Sequence, residues 1–200
     1  MKTHCLTTAL LAALSLNFGC SSKPDSTSVA DKANDQKIEN ADAAGAKPTT
    51  AATAGDAKDV ADYLVDLANT GRTEYELSKL AATRAGNPAV KTYAAKTVAQ
   101  HAQDEAELKS QAAKYNVTLP AILNQESQDL LTSLSKEKAG KDFDRKYLSD
   151  MADVNDKAIS RAKGALANTD KTELKQYVVK IQTDDEQHLA EARRLHDAIK

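Results

Sequence analysis

From residue 57 to residue 200, apolar and small side chains return at alternating three- and four-residue steps. That period admits helices and little else. Val60, Leu64, Leu67, Gly71, Glu74, Ser78, Ala81 and Ala85 mark a first helix that stops at Gly86. Asn87 and Pro88 then supply a cap and a first-turn proline for a second helix. It carries Val90, Ala94, Val98, His101, Leu108 and Ala112 to about Tyr115. Residues Asn116 to Pro120 break it, a short amphipathic piece with Ile122, Leu123, Leu130, Leu131 and Leu134 follows, and Gly140 interrupts again. Phe143, Tyr147, Met151, Val154, Ala158, Ala162 and Ala165 trace a third long helix. Asp170 with Glu173 forms a capping-box pattern for the last one, along Leu174, Val178, Ile181, Asp185, His188, Ala192, Leu195 and Ile199. Four helices of about 25–28 residues joined by short connections predict an all-α, up-down four-helix bundle. A short extra helix lies between the second and third long ones.

Composition agrees with the period. Alanine fills 36 of 200 positions against 7 glycines, 4 prolines and no tryptophan, which favours helices over sandwiches or barrels. A formal net charge of −2 excludes a strongly basic nucleic-acid-binding surface. No glycine-rich phosphate loop, HExxH helix, serine nucleophile elbow or EF-hand spacing is present.

The first 56 residues read differently. Met1, Lys2 and His4 precede an apolar run from Cys5 to Phe18. That run is shorter than the roughly 20 residues a membrane-spanning helix needs and reads as a secretory signal peptide over residues 1–19. Gly19-Cys20-Ser21-Ser22 resembles a bacterial lipoprotein box, with Asn17 where that pattern usually has leucine. The resemblance implies lipid on Cys20, simple cleavage or a retained anchor being the alternatives. It implies a protein of the cell envelope, held to the outer membrane or the periplasmic face through its lipid. With Cys5 removed and Cys20 blocked, no thiol is left for a disulfide, a nucleophile or a thiolate metal site. Residues 20–56 carry only Val29 and Ile38 as large apolar side chains and are expected to form a disordered tether with a mean reach of roughly 30–36 Å.

Within residues 57–197, several stretches resemble one family in order. They are Glu74-Tyr75-Glu76-Leu77-Ser78-Lys79-Leu80-Ala81, then Val90-Lys91-Thr92-Tyr93-Ala94 followed by His101 and Leu108, then Leu119-Pro120. Phe143-Asp144-Arg145-Lys146-Tyr147 with Met151, Leu174-Lys175-Gln176-Tyr177 and His188-Leu189 complete the set. Together they resemble the exported bacterial ferritin-like proteins called domain of unknown function 4142. The resemblance implies a ferritin-like bundle in the envelope, in a family without an established activity. The chain departs from that pattern at Thr97 and Gln100, where methionine and aspartate are usual, and at Val154-Asn155, where Asp-His is usual.

Ferritin-like di-metal sites draw one Glu from each of two helices and a Glu-x-x-His pair from each of the others. This chain offers Glu74 on the first helix, His101 on the second, and Asp185 and His188 on the fourth; the third offers only Asn155. Folding about the turn at 86–87 puts Glu74 and His101 within about 3 Å of one level. Folding about 168–169 levels Asn155 with residue 182, about 9 Å from the level of His188, and predicts no compact four-helix ligand set. On this basis the histidines are expected to be core residues hydrogen-bonded to Glu74 or Asp185, with no cofactor and no catalytic residue. The function expected is that of a non-catalytic interaction or stress-associated module with an unidentified protein partner. The alternative is a metal-binding or redox bundle using Glu74, His101, Asp185 and His188 as ligands, with iron or manganese as the metal. His196, beside Arg193 and Arg194, is expected at the surface.

Overall fold

Six helices, and no strand, make up the described residues of the computed structural model, 25–45 and 53–199. They are α1 (Ser26–Ala43), α2 (Ala54–Arg84), α3 (Pro88–Lys114), α4 (Gln125–Lys136), α5 (Lys141–Asn168) and α6 (Thr172–Ala198). None is long and apolar enough to cross a membrane. The signal peptide, Cys20 and the parts of the expected tether at 21–24 and 46–52 lie outside the described residues.

Local chemistry explains most of the boundaries. Thr53 and Asp56 form a reciprocal capping box, so α2 begins at Ala54 rather than at 57. Asn87 caps α3 through Ala89 N, with Pro88 at the first position, as the sequence predicts. At the far end of α3, Asn116 takes a left-handed φ of 56° and Val117 N donates to Ala112 O at 2.8 Å, closing the helix. The α2–α3 turn is tied from outside. The buried Asp144 carboxylate accepts from Gly86 N at 2.8 Å and Asn87 N at 2.7 Å. Gly86 suits this close approach, since a Cβ there would stand 3.1 Å from the Gly140 backbone and push the two segments apart by a few tenths of an ångström. The capping box expected from Asp170 and Glu173 does not form: Lys171 holds the cap position of α6 and no side chain caps it.

The tether expectation needs correcting at 26–43, which is helical. Helix α1 packs on α2. It buries Ala30 and the amide of Asn34, whose Nδ2 donates to Thr118 O at 3.0 Å and whose Oδ1 accepts from Thr118 N at 2.7 Å. Asp25 accepts from Gln125 N, and Lys37 donates to Asn116 O. Counting large apolar side chains misses this helix because polar clasps onto the α3–α4 connection hold it.

Helix α2 packs against α3 and α5, and α6 packs against α5 and α3, so each long helix has two long neighbours. Helix α4 lies across α2 and α5. The interior is divided. One apolar cluster holds Leu77, Val90, Tyr93, Leu134, Phe143, Tyr147, Met151 and Leu195. The other holds Val60, Leu64, Leu108, Ala162, Leu174, Val178 and Ile181. Between them, along α2, α3, α5 and α6, the buried residues turn polar: Thr73, Glu74, Ser78, Thr97, Asn155, Asp185 and His188. Polar groups in that position lower stability unless they are paired. The functional site is therefore to be sought in this layer.

Candidate metal centre

Glu74 stands at the middle of the layer with none of its surface exposed. Its Oε2 lies 3.3 Å from His101 Nε2 and 3.4 Å from His188 Nδ1, and accepts from Asn155 Nδ2 at 3.0 Å. One oxygen from α2 thus meets side chains from α3, α5 and α6. The ligand atoms of Glu74, His101 and His188 all lie within 4.8 Å of one another.

Three of the four candidate ligands converge, from α2, α3 and α6, while α5 supplies no ligand to a four-helix set. The α5–α6 connection centres near residue 170, which levels Asn155 with 185 and brings His188 within about one helical turn. Glu74 spans the remaining distance. Asp185 shares the layer and is buried, yet its carboxylate is not among the three converging groups. His196 is half-buried near Asp197, away from the layer.

The surroundings orient both rings. His188 Nε2 and Gln100 Oε1 share a hydrogen bond of 3.0 Å, which turns Nδ1 toward Glu74. His188 Nδ1 faces Glu74 Oε2 at 3.4 Å, and Nδ1 has no hydrogen-bond partner among the described residues. Glu74 Oε1 and Asp185 Oδ2 are likewise buried without one. Asn155 Oδ1 lacks a partner too, whereas Ser78 Oγ and Tyr147 OH share a bond of 2.8 Å and Tyr93 OH donates to His188 O. Four unpartnered atoms thus belong to this layer, those of Glu74, Asn155, Asp185 and His188.

Electrostatics follow from this packing. Burial opposes ionisation of Glu74, but the His101 and His188 rings outweigh it and hold the carboxyl well below the usual range. Burial likewise opposes protonation of His101, and the Glu74 carboxylate outweighs it, raising the imidazole above its ordinary value. For Asp185 the attraction of His101 is outweighed. Burial first, and the Glu74 charge second, push it up to about 8.

The donor set suits a metal ion. Ligand atoms around a four-coordinate ion with bonds of about 2.0–2.1 Å stand about 3.3 Å apart, close to the separations seen here. A charge-assisted hydrogen bond would be shorter, about 2.7–2.9 Å. Two imidazoles and a carboxylate, without thiolate, are the ligands of borderline divalent ions. A cleft of about 510 Å³ reaches the layer from solvent, with Glu74, His101 and Asp185 among its lining.

Sequence reasoning found Glu74, His101 and His188 but missed the roles of Gln100 and Asn155. Both sit where the chain departs from the family pattern, and that departure was the available signal.

A family profile described as "Domain of unknown function (DUF4142)" matches residues 45–195, and the chain belongs to that family. Among curated proteins, none matches the chain. Among solved structures, it resembles CopM in the Cu(II)-bound form, with a TM-score of 0.60 and 15% identity over 70% of this chain and 96% of that one. It also resembles CopM in the Ag-bound form, with a TM-score of 0.57 and 14% identity over the same shares. At such identities the likeness is one of fold.

Proposed function

We propose that this DUF4142 protein is a non-catalytic metal-binding bundle of the cell envelope, holding one transition-metal ion between Glu74, His101 and His188. The observation that carries the reading is the unpaired contact at its centre. His188 Nδ1, without a hydrogen-bond partner, faces Glu74 Oε2 at 3.4 Å beside His101 Nε2, and a cation among the three would take up the unused Nδ1 lone pair. Gln100 and Asn155 act as the outer support, fixing the His188 ring orientation and the Glu74 rotamer. Helix α5 offers only the Asn155 amide where a di-metal site takes a carboxylate or a carboxylate–histidine pair from every helix, which favours a single ion over a di-metal site.

The donor chemistry selects among metals. Sites of nitrogen and oxygen ligands follow the order in which copper(II) binds most tightly among first-row divalent ions. The CopM structures similar in fold carry Cu(II) and Ag, which supports copper ahead of the iron or manganese expected from sequence. The four long helices are read as an up-down bundle of ferritin-like type, with α4 the short extra helix. Lipid on Cys20 would anchor it, and residues 44–53 would link α1 to the bundle.

Thermal unfolding of the untagged chain tests this. At a hundredfold excess over Kd, binding adds about 2.7 kcal/mol, worth about 5–10 °C for a chain of this size. Copper(II) should raise Tm by that amount in the wild type and by less than about a degree in His101→Ala. An equal shift in both proteins, or none in either, would overturn the reading.

A further inference from the structure

Helix α1 limits how far the bundle can stand from a lipid anchor. Asp25 caps α1 and also accepts from Gln125 N at 2.7 Å, while Ser26 Oγ accepts from Ile122 N at 3.2 Å. The chain is thus fixed to the bundle from residue 25 onward. Five residues lead from Cys20 to Asp25, and fully extended they span at most about 18 Å.

The point of attachment lies on the flank of the bundle, not at an end. Asp35 of α1 pairs with Lys58, near the start of α2, at 3.1 Å. Gln125, which holds Asp25, follows Asn124, whose N donates to Asn69 Oδ1 at 2.8 Å. Helix α1 therefore runs antiparallel to α2, and its first residues stand near Asn69, the middle of α2. Half of α2 measures about 23 Å, so a bundle standing on end would hold Asp25 farther from the lipid than five residues reach. The opposite flank is at least two helix diameters away, about 20–24 Å, and is out of reach as well. Only with the α1 flank toward the lipid does the leash suffice.

That flank carries exposed apolar side chains. Val29 is 50% exposed and Ile122 61% exposed. Scattered singly, such residues need no account. Here Val29 follows Ser26 by one turn on the same helix face, and Ser26 touches Ile122. Lys32, exposed, continues that face by three residues. The other large apolar side chain exposed among the described residues is Val179, on α6, which stands diagonal to α2.

We propose that Val29, Lys32 and Ile122 form a lipid-contacting surface, on which the bundle lies with its long axis along the bilayer. Val29 and Ile122 enter the headgroup boundary, and Lys32 meets lipid phosphates. The inference rests on the lipid at Cys20 and is independent of the metal ion.

The test uses the lipidated full chain in vesicles of phosphatidylethanolamine with phosphatidylglycerol. Cys5 and Cys20 are the cysteines of the sequence, the first removed and the second blocked, so Val29→Cys, Ile122→Cys or Val179→Cys gives a single site for a thiol-reactive fluorophore. A nitroxide lipid in the vesicles should quench the label at 29 and at 122 about threefold more than the label at 179, since only the first two sit within the interface. Ile122→Asp should cut the quenching at 29 by about half while the helical signal stays intact, because a carboxylate resists entry into the headgroup boundary. Vesicle flotation reads the anchor separately: the wild type should float, and Cys20→Ser should not. Flotation with all three labels quenched alike, with none quenched, or with quenching at 29 indifferent to Ile122→Asp overturns the proposed surface while the anchor stands. A wild type that stays at the bottom of the gradient overturns both.

Discussion

Replacing Asp185 by asparagine keeps the shape of the side chain and removes its charge, which isolates the cost of a buried acid in the polar layer. The carboxyl is pushed up to about 8, by burial first and by the Glu74 charge second. Its unfolded value is about 3.9, so between roughly pH 4 and 8 the native chain keeps a proton that the unfolded chain has released. Stability therefore falls as pH rises through that window, by about 1.4 kcal/mol per unit where a full proton separates the states. Four units set a ceiling of about 6 kcal/mol, and water in the open cleft screens the charge, leaving about 2–3 kcal/mol. Urea denaturation at acid and alkaline ends of the window, followed by circular dichroism, reads this directly. Asp185→Asn should gain on the wild type by about 2–3 kcal/mol between pH 4.5 and pH 8 with an unchanged denaturant slope. A stability difference that stays constant across the window, or turns toward the wild type at pH 8, refutes the reasoning.

Three further substitutions probe the frame around the site. Glu74→Ala leaves His101, Asn155 and His188 facing a void, and should cost about 3–5 kcal/mol in denaturant unfolding. Asp144→Ala strips the carboxylate from Gly86 N and Asn87 N, and should cost about 2–3 kcal/mol by the same measurement. Asn34→Ala opens both bonds to Thr118; limited proteolysis should then cut within 26–52 faster than in the wild type, while the helical signal of α2 to α6 persists.

What the sequence shows and what it hides divide along a physical line. Hydrophobic period and local caps depend on residues a few positions apart, so the four long helices, the Asn87-Pro88 start and the break after Tyr115 were legible. The same locality revealed Glu74, His101 and His188 on inward faces. Contacts between helices depend on where each connection pivots. A shift from 168–169 to about 170 was enough to misplace His188 against Asn155. Gln100 next to His188 has no spacing signature at all, because it joins α3 to α6. Helix α1 escaped for another reason. Its docking rests on Asn34, Asp25 and Lys37 reaching the α3–α4 connection, and disorder arguments from composition do not weigh such clasps.

The central claim is that the polar layer divides the core in order to hold a metal ion. The most direct measurement is anomalous diffraction at the copper edge, from crystals of the untagged chain grown with copper(II). The account predicts one strong peak inside the bundle, about 2.0–2.2 Å from Glu74 Oε2, His101 Nε2 and His188 Nδ1. Anomalous density confined to surface groups such as His196, with the layer empty, would contradict it.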